Sequence, residues 1–149
     1  MTGIPRPALY LGFAGLIPFL WGALTVTFPD LDDFGRQALG PRFSGIYLLN
    51  AYGIVILSFM SGVLWGFATH ASGSRAALAY ALSVVPALWT FVMVGGGAEH
   101  ALKALIAGFL GLLLLDAFYW WLRLAPPWWM GLRIPLTAIV VASLAIGLL

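Results

Sequence analysis

A single carboxylate interrupts the most apolar stretch of the chain. Asp116 is the one acidic side chain inside the predicted membrane span from about 101 to 124. A charge in hydrocarbon is costly, so such residues usually pair with an opposite charge or serve to move a proton or ligand. Arg123 follows two helical turns later, ~10 Å along the axis and on the same face. Arg75 and Arg133 are candidate partners from neighbouring helices.

Two roles for Asp116 are open from the sequence. The favoured one is a structural ion pair or hydrogen bond that ties its helix to a neighbour. The other is movement of a proton or ligand, which normally needs a second polar group deeper in the membrane. The third and fifth predicted spans offer only hydroxyls for this purpose: Ser83, Thr90, Thr137 and Ser143. The relay is therefore incomplete.

The other potentially reactive side chains form no recognisable catalytic set. His70 and His100 are predicted on opposite faces of the membrane, so they cannot share a metal or a haem. Asp30, Asp32 and Asp33 lack the glycine and glutamate of a calcium loop, which favours capping and solvation over cation binding. We therefore expect no catalytic residue, no metal, no cofactor and no enzymatic activity.

Membrane helices are the elements that must position these residues. The chain has 149 residues, of which 62% are hydrophobic and 8% charged, with a mean hydropathy of +1.02. This is far from the composition of a soluble globule. An apolar run of about 20 residues crosses the hydrocarbon core. The sequence predicts an all-α bundle in one membrane domain, with five transmembrane helices at about 8–28, 44–69, 76–94, 101–124 and 132–149.

The first span and the following loop carry two local signals. Pro18 should kink the first helix, with a neighbour covering a freed carbonyl. Between Leu31 and Leu39 apolar residues recur at helical spacing, and a Gly-Pro pair follows. This pattern predicts a short interfacial helix between the first and second spans, capped by an aspartate.

The second span has a face of small residues. Ser58, Gly62 and Gly66 follow one another at intervals of four, so they lie on one side of the helix. Small residues let helix backbones approach closely in lipid, where packing must drive association. We expect these three to be helix-packing residues, and we expect the bundle to be organised around this span.

Basic residues set the predicted orientation. The side of the N-terminus holds four arginines, and the opposite side holds Arg36, Arg42 and Lys103. Because Lys and Arg favour the cytoplasmic side, the sequence predicts a cytoplasmic N-terminus. The basic residues do not cluster, so nucleic acid is not an expected partner.

Tryptophans concentrate toward the same side. An interfacial anchor belt is the favoured interpretation, and a docking surface for anionic lipid or a larger membrane partner is the alternative. The residues concerned are Trp65, Trp120, Trp121, Trp128 and Trp129.

Several segments together resemble a known family. The runs 52–66, 83–89 and 127–137, with the lone Asp116, are similar to a family of small uncharacterised bacterial inner-membrane proteins. That family is related to the mitochondrial transmembrane protein sixty-nine. The resemblance implies a multi-span protein of the bacterial inner membrane, without an assigned activity and without catalytic residues to transfer.

Three functions remain as hypotheses. The leading one is a non-enzymatic accessory or assembly factor that docks on a larger inner-membrane complex. The expected partners are the lipid bilayer and either a larger inner-membrane complex or further copies of this chain. The alternatives are a small carrier or channel using Asp116, and a protein that binds lipid or quinone.

Overall fold

The computed structural model describes residues 3–149 and is helical throughout the bundle. Its elements are α1 (Arg6–Ala14), α2 (Ile17–Thr27), α3 (Pro29–Ala38), a 3-10 turn (Pro41–Phe43), α4 (Gly45–Ala68), α5 (Ser74–Ser83), α6 (Val85–Met93), α7 (Ala98–Trp121) and α8 (Trp129–Ile146). α1 with α2, and α5 with α6, each form one discontinuous span, so five segments are long and apolar enough to cross a bilayer. The prediction of an all-α, five-span membrane bundle is confirmed.

Helix α4 is the central element of this bundle. It packs against α2, α5, α6 and α7, while α8 packs against α1, α2 and α7. The face of α4 that meets its neighbours carries large side chains, and Leu49, Leu57 and Leu64 are fully enclosed. The second span therefore does organise the fold, but through a stripe of leucines.

Two of these leucines pack against glycines on the facing helices. A Cβ atom on Gly108 would lie 2.5 Å from Leu57 Cδ2, and one on Gly22 would lie 2.7 Å from Leu49 Cδ2. In the reverse direction, a Cβ on Gly53 of α4 would lie 2.8 Å from Leu105 Cδ1. Distances below 3.0 Å leave no room for a side chain, so these glycines set how closely the helices approach.

In both discontinuous spans, a hydroxyl group of α4 forms hydrogen bonds with the backbone at the break. The Tyr52 hydroxyl donates to the carbonyl oxygen of Gly15 at 3.1 Å, where α1 gives way to α2 near Pro18. The Ser61 hydroxyl donates to the Ser83 carbonyl at the junction of α5 and α6, and accepts from the Ala87 N–H at 3.3 Å. Broken helices are tolerated in membranes when neighbours satisfy the freed backbone groups. The predicted covering of a carbonyl near Pro18 is confirmed.

The interfacial helix forms, although its N-terminus differs from the prediction. α3 begins at Pro29, and the preceding residue, Phe28, is extended and makes no side-chain cap. The predicted aspartate cap is wrong because Asp32 lies in the first turn and instead accepts from Arg36 Nε at 2.7 Å. Its hydrogen bond with Arg36 lowers the pKa of Asp32, which favours the ionised carboxylate.

Candidate functional site

Asp116 lies at the centre of a polar cluster between α7 and α8. Its Oδ2 atom accepts a hydrogen bond from Arg133 Nε at 2.7 Å, and its Oδ1 atom accepts from Trp129 Nε1 at 2.8 Å. The guanidinium carbon of Arg133 lies 6.0 Å from the Trp129 ring centroid. A carboxylate, a guanidinium and an indole thus form one hydrogen-bonded group, which we call the Asp116 site.

The local sequence explains how the site is assembled. Trp129 and Arg133 are four residues apart in the first turns of α8, so both side chains lie on one helix face. Asp116 is in the last turns of α7, and α7 and α8 form an antiparallel hairpin. In the connection, the N–H groups of Leu124 and Ala125 donate to the Tyr119 carbonyl. The hairpin therefore brings the last turns of α7 against the first turns of α8.

The Asp116 site is closed. Asp116 has no exposed surface and Arg133 is 5% exposed. Hydrogen bonds to an ionised partner are stronger than neutral ones, and an isolated charge here would have no water to solvate it. The arrangement holds α8 against α7, as expected of a structural ion pair. It offers no open path by which Asp116 could pass a proton or ligand in this conformation.

Arg123 does not join the site. α7 ends at Trp121, and Arg123 lies beyond the helix in a left-handed conformation with φ of 59°. Its side chain is exposed and lines a surface hollow with Trp120 and Pro127. The expected pairing of Arg123 with Asp116 is wrong, because α7 ends at Trp121, before the two full turns that would place both residues on one helix face. An intramembrane position of Arg123 stays a prediction. Of the candidate arginines, Arg133 is the partner.

The predicted tryptophan belt divides into two groups. Trp65, Trp120 and Trp121 are exposed, with the Trp65 ring 4.7 Å from that of Tyr80. Trp128 is half-buried. Trp129 is half-buried too, and its indole N–H donates to Asp116, so it belongs to the Asp116 site. A belt role for Trp128 and Trp129 stays a prediction. An anchoring role for the exposed three stays a prediction.

The small-residue face of α4 points away from the bundle. Gly62 and Gly66 are exposed, and across residues 3–149 no atom lies within 4 Å of a Cβ built on either one. Only Ser58 contacts another helix of the chain, through a 3.3 Å hydrogen bond to Thr90. The expectation that this face holds the five helices together is not met by Gly62 or Gly66. A packing role toward another chain stays a prediction.

The two histidines are also peripheral. His70 lies just after α4 and His100 in the first turn of α7, and both are exposed. They belong to opposite ends of the bundle, because α4 runs toward one face and α7 begins at the other. They do not contribute to the Asp116 site.

Five apolar spans around a sealed charge pair define a polytopic helical membrane protein. Within this class the chain belongs to the family described as "Protein of unknown function (DUF3429)", whose model matches residues 4–149. It is 35% identical over 147 residues to transmembrane protein 69 of Xenopus tropicalis, covering 94% of this chain and 53% of that protein. It is 30% identical over 149 residues to transmembrane protein 69 of Mus musculus, covering 97% and 56%.

These similarities reach only part of the relatives. The chain spans about half the length of the curated relatives it matches. No solved structure is significantly similar to it. The family description assigns no activity, so function has to be argued from the chain itself.

Proposed function

We propose that this chain is a non-enzymatic accessory or assembly factor that docks on a larger protein complex of the bacterial inner membrane. The observation that carries the proposal is the face of α4 at Ser58, Gly62 and Gly66, hereafter the glycine face, on which the two glycines are exposed and Ser58 is half-buried. Within residues 3–149 no helix covers Gly62 or Gly66, although both lie in a membrane span. Helix association in lipid depends on close backbone approach, which glycines permit.

The surroundings of the glycine face support a protein occupant. Trp65 lies beside Gly66 on α4 and is 50% exposed. Tryptophan is enriched at protein interfaces, since it offers a large contact area with few rotatable bonds. Two exposed glycines beside an aromatic side chain allow the backbone of a single transmembrane helix to approach closely. The partner would therefore contribute one helix.

The alternative of a carrier that uses Asp116 receives less support. A coupling residue has to reach a cavity or water in at least one state. Asp116 is sealed by Arg133 and Trp129. Opening it would separate a charge pair inside the membrane.

Substitution of Gly62 tests the docking proposal. We expect Gly62→Leu to abolish copurification of the protein with its partner complex in mild detergent. A Cβ atom on residue 62 meets no atom of another helix in the described chain, so we expect thermal stability to be unchanged. Membranes of the native bacterial host, solubilised gently and resolved by native electrophoresis, provide the measurement.

Gly111→Leu is the matched control for this experiment. Gly111 is likewise an exposed glycine on a spanning helix, α7, and a Cβ on it meets nothing within 4 Å in the described chain. It should leave the complex intact. Recovery of the unmodified protein only as a monomer or homo-oligomer, or equal behaviour of the two leucine variants, would contradict the proposal.

We also infer that the N-terminus lies in the cytoplasm. Topology is set as the chain inserts, before Arg133 pairs with Asp116, so all four arginines on the N-terminal side count toward orientation. The opposite side has three basic residues. The proposed location in the bacterial inner membrane follows from the family resemblance.

Single cysteines report this orientation directly, because the natural chain has no Cys. Ser72→Cys lies between α4 and α5 and Gln37→Cys lies in α3, and both positions are exposed. In intact cells a membrane-impermeant maleimide should label Gln37→Cys and spare Ser72→Cys. The opposite labelling would reverse the proposed topology.

A further inference from the structure

A cavity lies beside the Asp116 site, among the first, second, fourth and fifth spans. Its volume is about 130 Å³. Most of its wall is aliphatic and aromatic, and it includes the junction of α1 and α2; the wall residues that matter here are Gly15, Phe19, Met60, Leu136 and Val140. Two polar residues of α8, Arg133 and Thr137, complete the lining.

Each of these two lining residues carries a buried atom without a hydrogen-bond partner. Arg133 Nη2 and Thr137 Oγ1 have no hydrogen-bond partner in residues 3–149, although the two residues are only 5% and 2% exposed. Buried polar groups almost always have a partner, and those that lack one require an explanation. The two residues are four apart on one helix, so their side chains lie on the same face.

Thr137 differs in this respect from comparable residues of the bundle. Hydroxyls in membrane helices commonly donate to a carbonyl of the preceding turn. Thr25, Thr90 and Ser143 all do so here. The Thr137 hydroxyl makes no such bond in residues 3–149, so its hydrogen-bonding capacity is unused.

The charges of the Asp116 site restrict what that molecule can be. Arg133 is already neutralised by Asp116 at 2.7 Å. A bound anion would leave a net negative charge in a low-dielectric region, which is unfavourable. A neutral hydrogen-bond acceptor would satisfy the N–H and the hydroxyl at no such cost. A carbonyl oxygen has this chemistry.

The position of the cavity restricts the route of access. Leu11 and Phe59 line it, and they are 74% and 64% exposed on the sides of spanning helices. The opening therefore faces the lipid. Thr137 lies near the middle of α8, so the cavity reaches the interior of the bilayer. An apolar cavity of about 150 Å³ accommodates a benzene ring, so one compact ring or acyl segment is the right size.

We propose that this cavity binds a neutral, membrane-soluble molecule through its carbonyl oxygen, with Arg133 Nη2 and Thr137 Oγ1 as the donors. Two sources provide that chemistry, the ring of a quinone and the ester of a glycerolipid. The proposal does not depend on docking at the glycine face, which lies on the exposed side of α4.

Equilibrium binding to the full chain in lipid nanodiscs tests the proposal. Radiolabelled decylbenzoquinone is the probe in one arm, and radiolabelled dioctanoylglycerol in the other. We expect saturable binding in one arm, above partition into nanodiscs without protein. Thr137→Val, which removes the hydroxyl at nearly constant volume, should weaken that binding about 3–10-fold, the equivalent of one neutral hydrogen bond.

Two variants separate loss of the donor from loss of the fold. Thr137→Ser keeps a hydroxyl and should bind like the natural chain. Thr27→Val makes the same change at an exposed residue whose hydroxyl bonds only to the Ala23 carbonyl, and it should also bind normally. The probe that shows saturable binding, the quinone or the glyceride, identifies which of the two sources provides the carbonyl. Absence of saturable binding in both arms, or equal affinity of Thr137→Val and Thr27→Val, would overturn the proposal.

Discussion

Removing either charge of the Asp116 site alone should lower the free energy of unfolding by about 3–5 kcal/mol, since the remaining charge is left buried and unpaired. We expect this of both Asp116→Leu and Arg133→Met. The double variant should recover most of the loss, because apolar side chains of similar volume can replace a buried ion pair at little cost. Unfolding by sodium dodecyl sulfate in mixed micelles, followed by circular dichroism, measures all three variants.

Arg123→Met provides the control for the arginine substitution. Arg123 is exposed beyond the end of α7, and its left-handed backbone is equally strained with either side chain. The change should lower the free energy of unfolding by less than about 1 kcal/mol, as is usual for surface positions. The ion-pair interpretation fails if Arg123→Met is as damaging as Arg133→Met. It fails equally if the effects of the two site variants simply add.

The sequence was sufficient to select Asp116 but not to identify its partners. A lone carboxylate in an apolar run can be recognised without knowing which face of the helix meets a neighbour. Choosing between Arg123 and Arg133 required knowing that α7 ends at Trp121 and that the chain turns back within seven residues. The four-residue spacing of Trp129 and Arg133 was a usable signal, because it places an indole donor and a guanidinium on one face.

Packing within the bundle uses the other face of α4 from the one that the glycine spacing indicates, for a related reason. Gly53 and Gly62 are nine residues apart, which places them on opposite sides of a helix at 100° per residue. The sequence shows small residues on both sides. Only the tertiary structure shows that Leu105 contacts the Gly53 side, while the Gly62 side stays exposed. The four-residue glycine spacing indicates where a helix can approach, and it does not say which helix.

Gly108 is the glycine whose replacement should damage the fold most. A Cβ there would lie 2.5 Å from Leu57 Cδ2 and 2.9 Å from Trp89 Cδ1. Neither neighbour has room to move: Leu57 is fully buried, and the Trp89 indole N–H donates to the Ala104 carbonyl at 2.7 Å. We expect Gly108→Ala to lower the free energy of unfolding by at least about 1–3 kcal/mol through overpacking.

The same substitution at Gly111 separates overpacking from helix propensity. Gly111 lies one turn further along α7, and a Cβ on it meets no atom within 4 Å in the described chain. Gly111→Ala should therefore be neutral or stabilising by up to about 1 kcal/mol, since alanine is the better helix former. Both variants change a glycine of α7 to alanine. The difference between their free energies of unfolding therefore isolates the contact of α7 with α4 and α6. Equal stability of both variants in detergent unfolding would mean that Leu57 and Trp89 do not set the spacing of these helices.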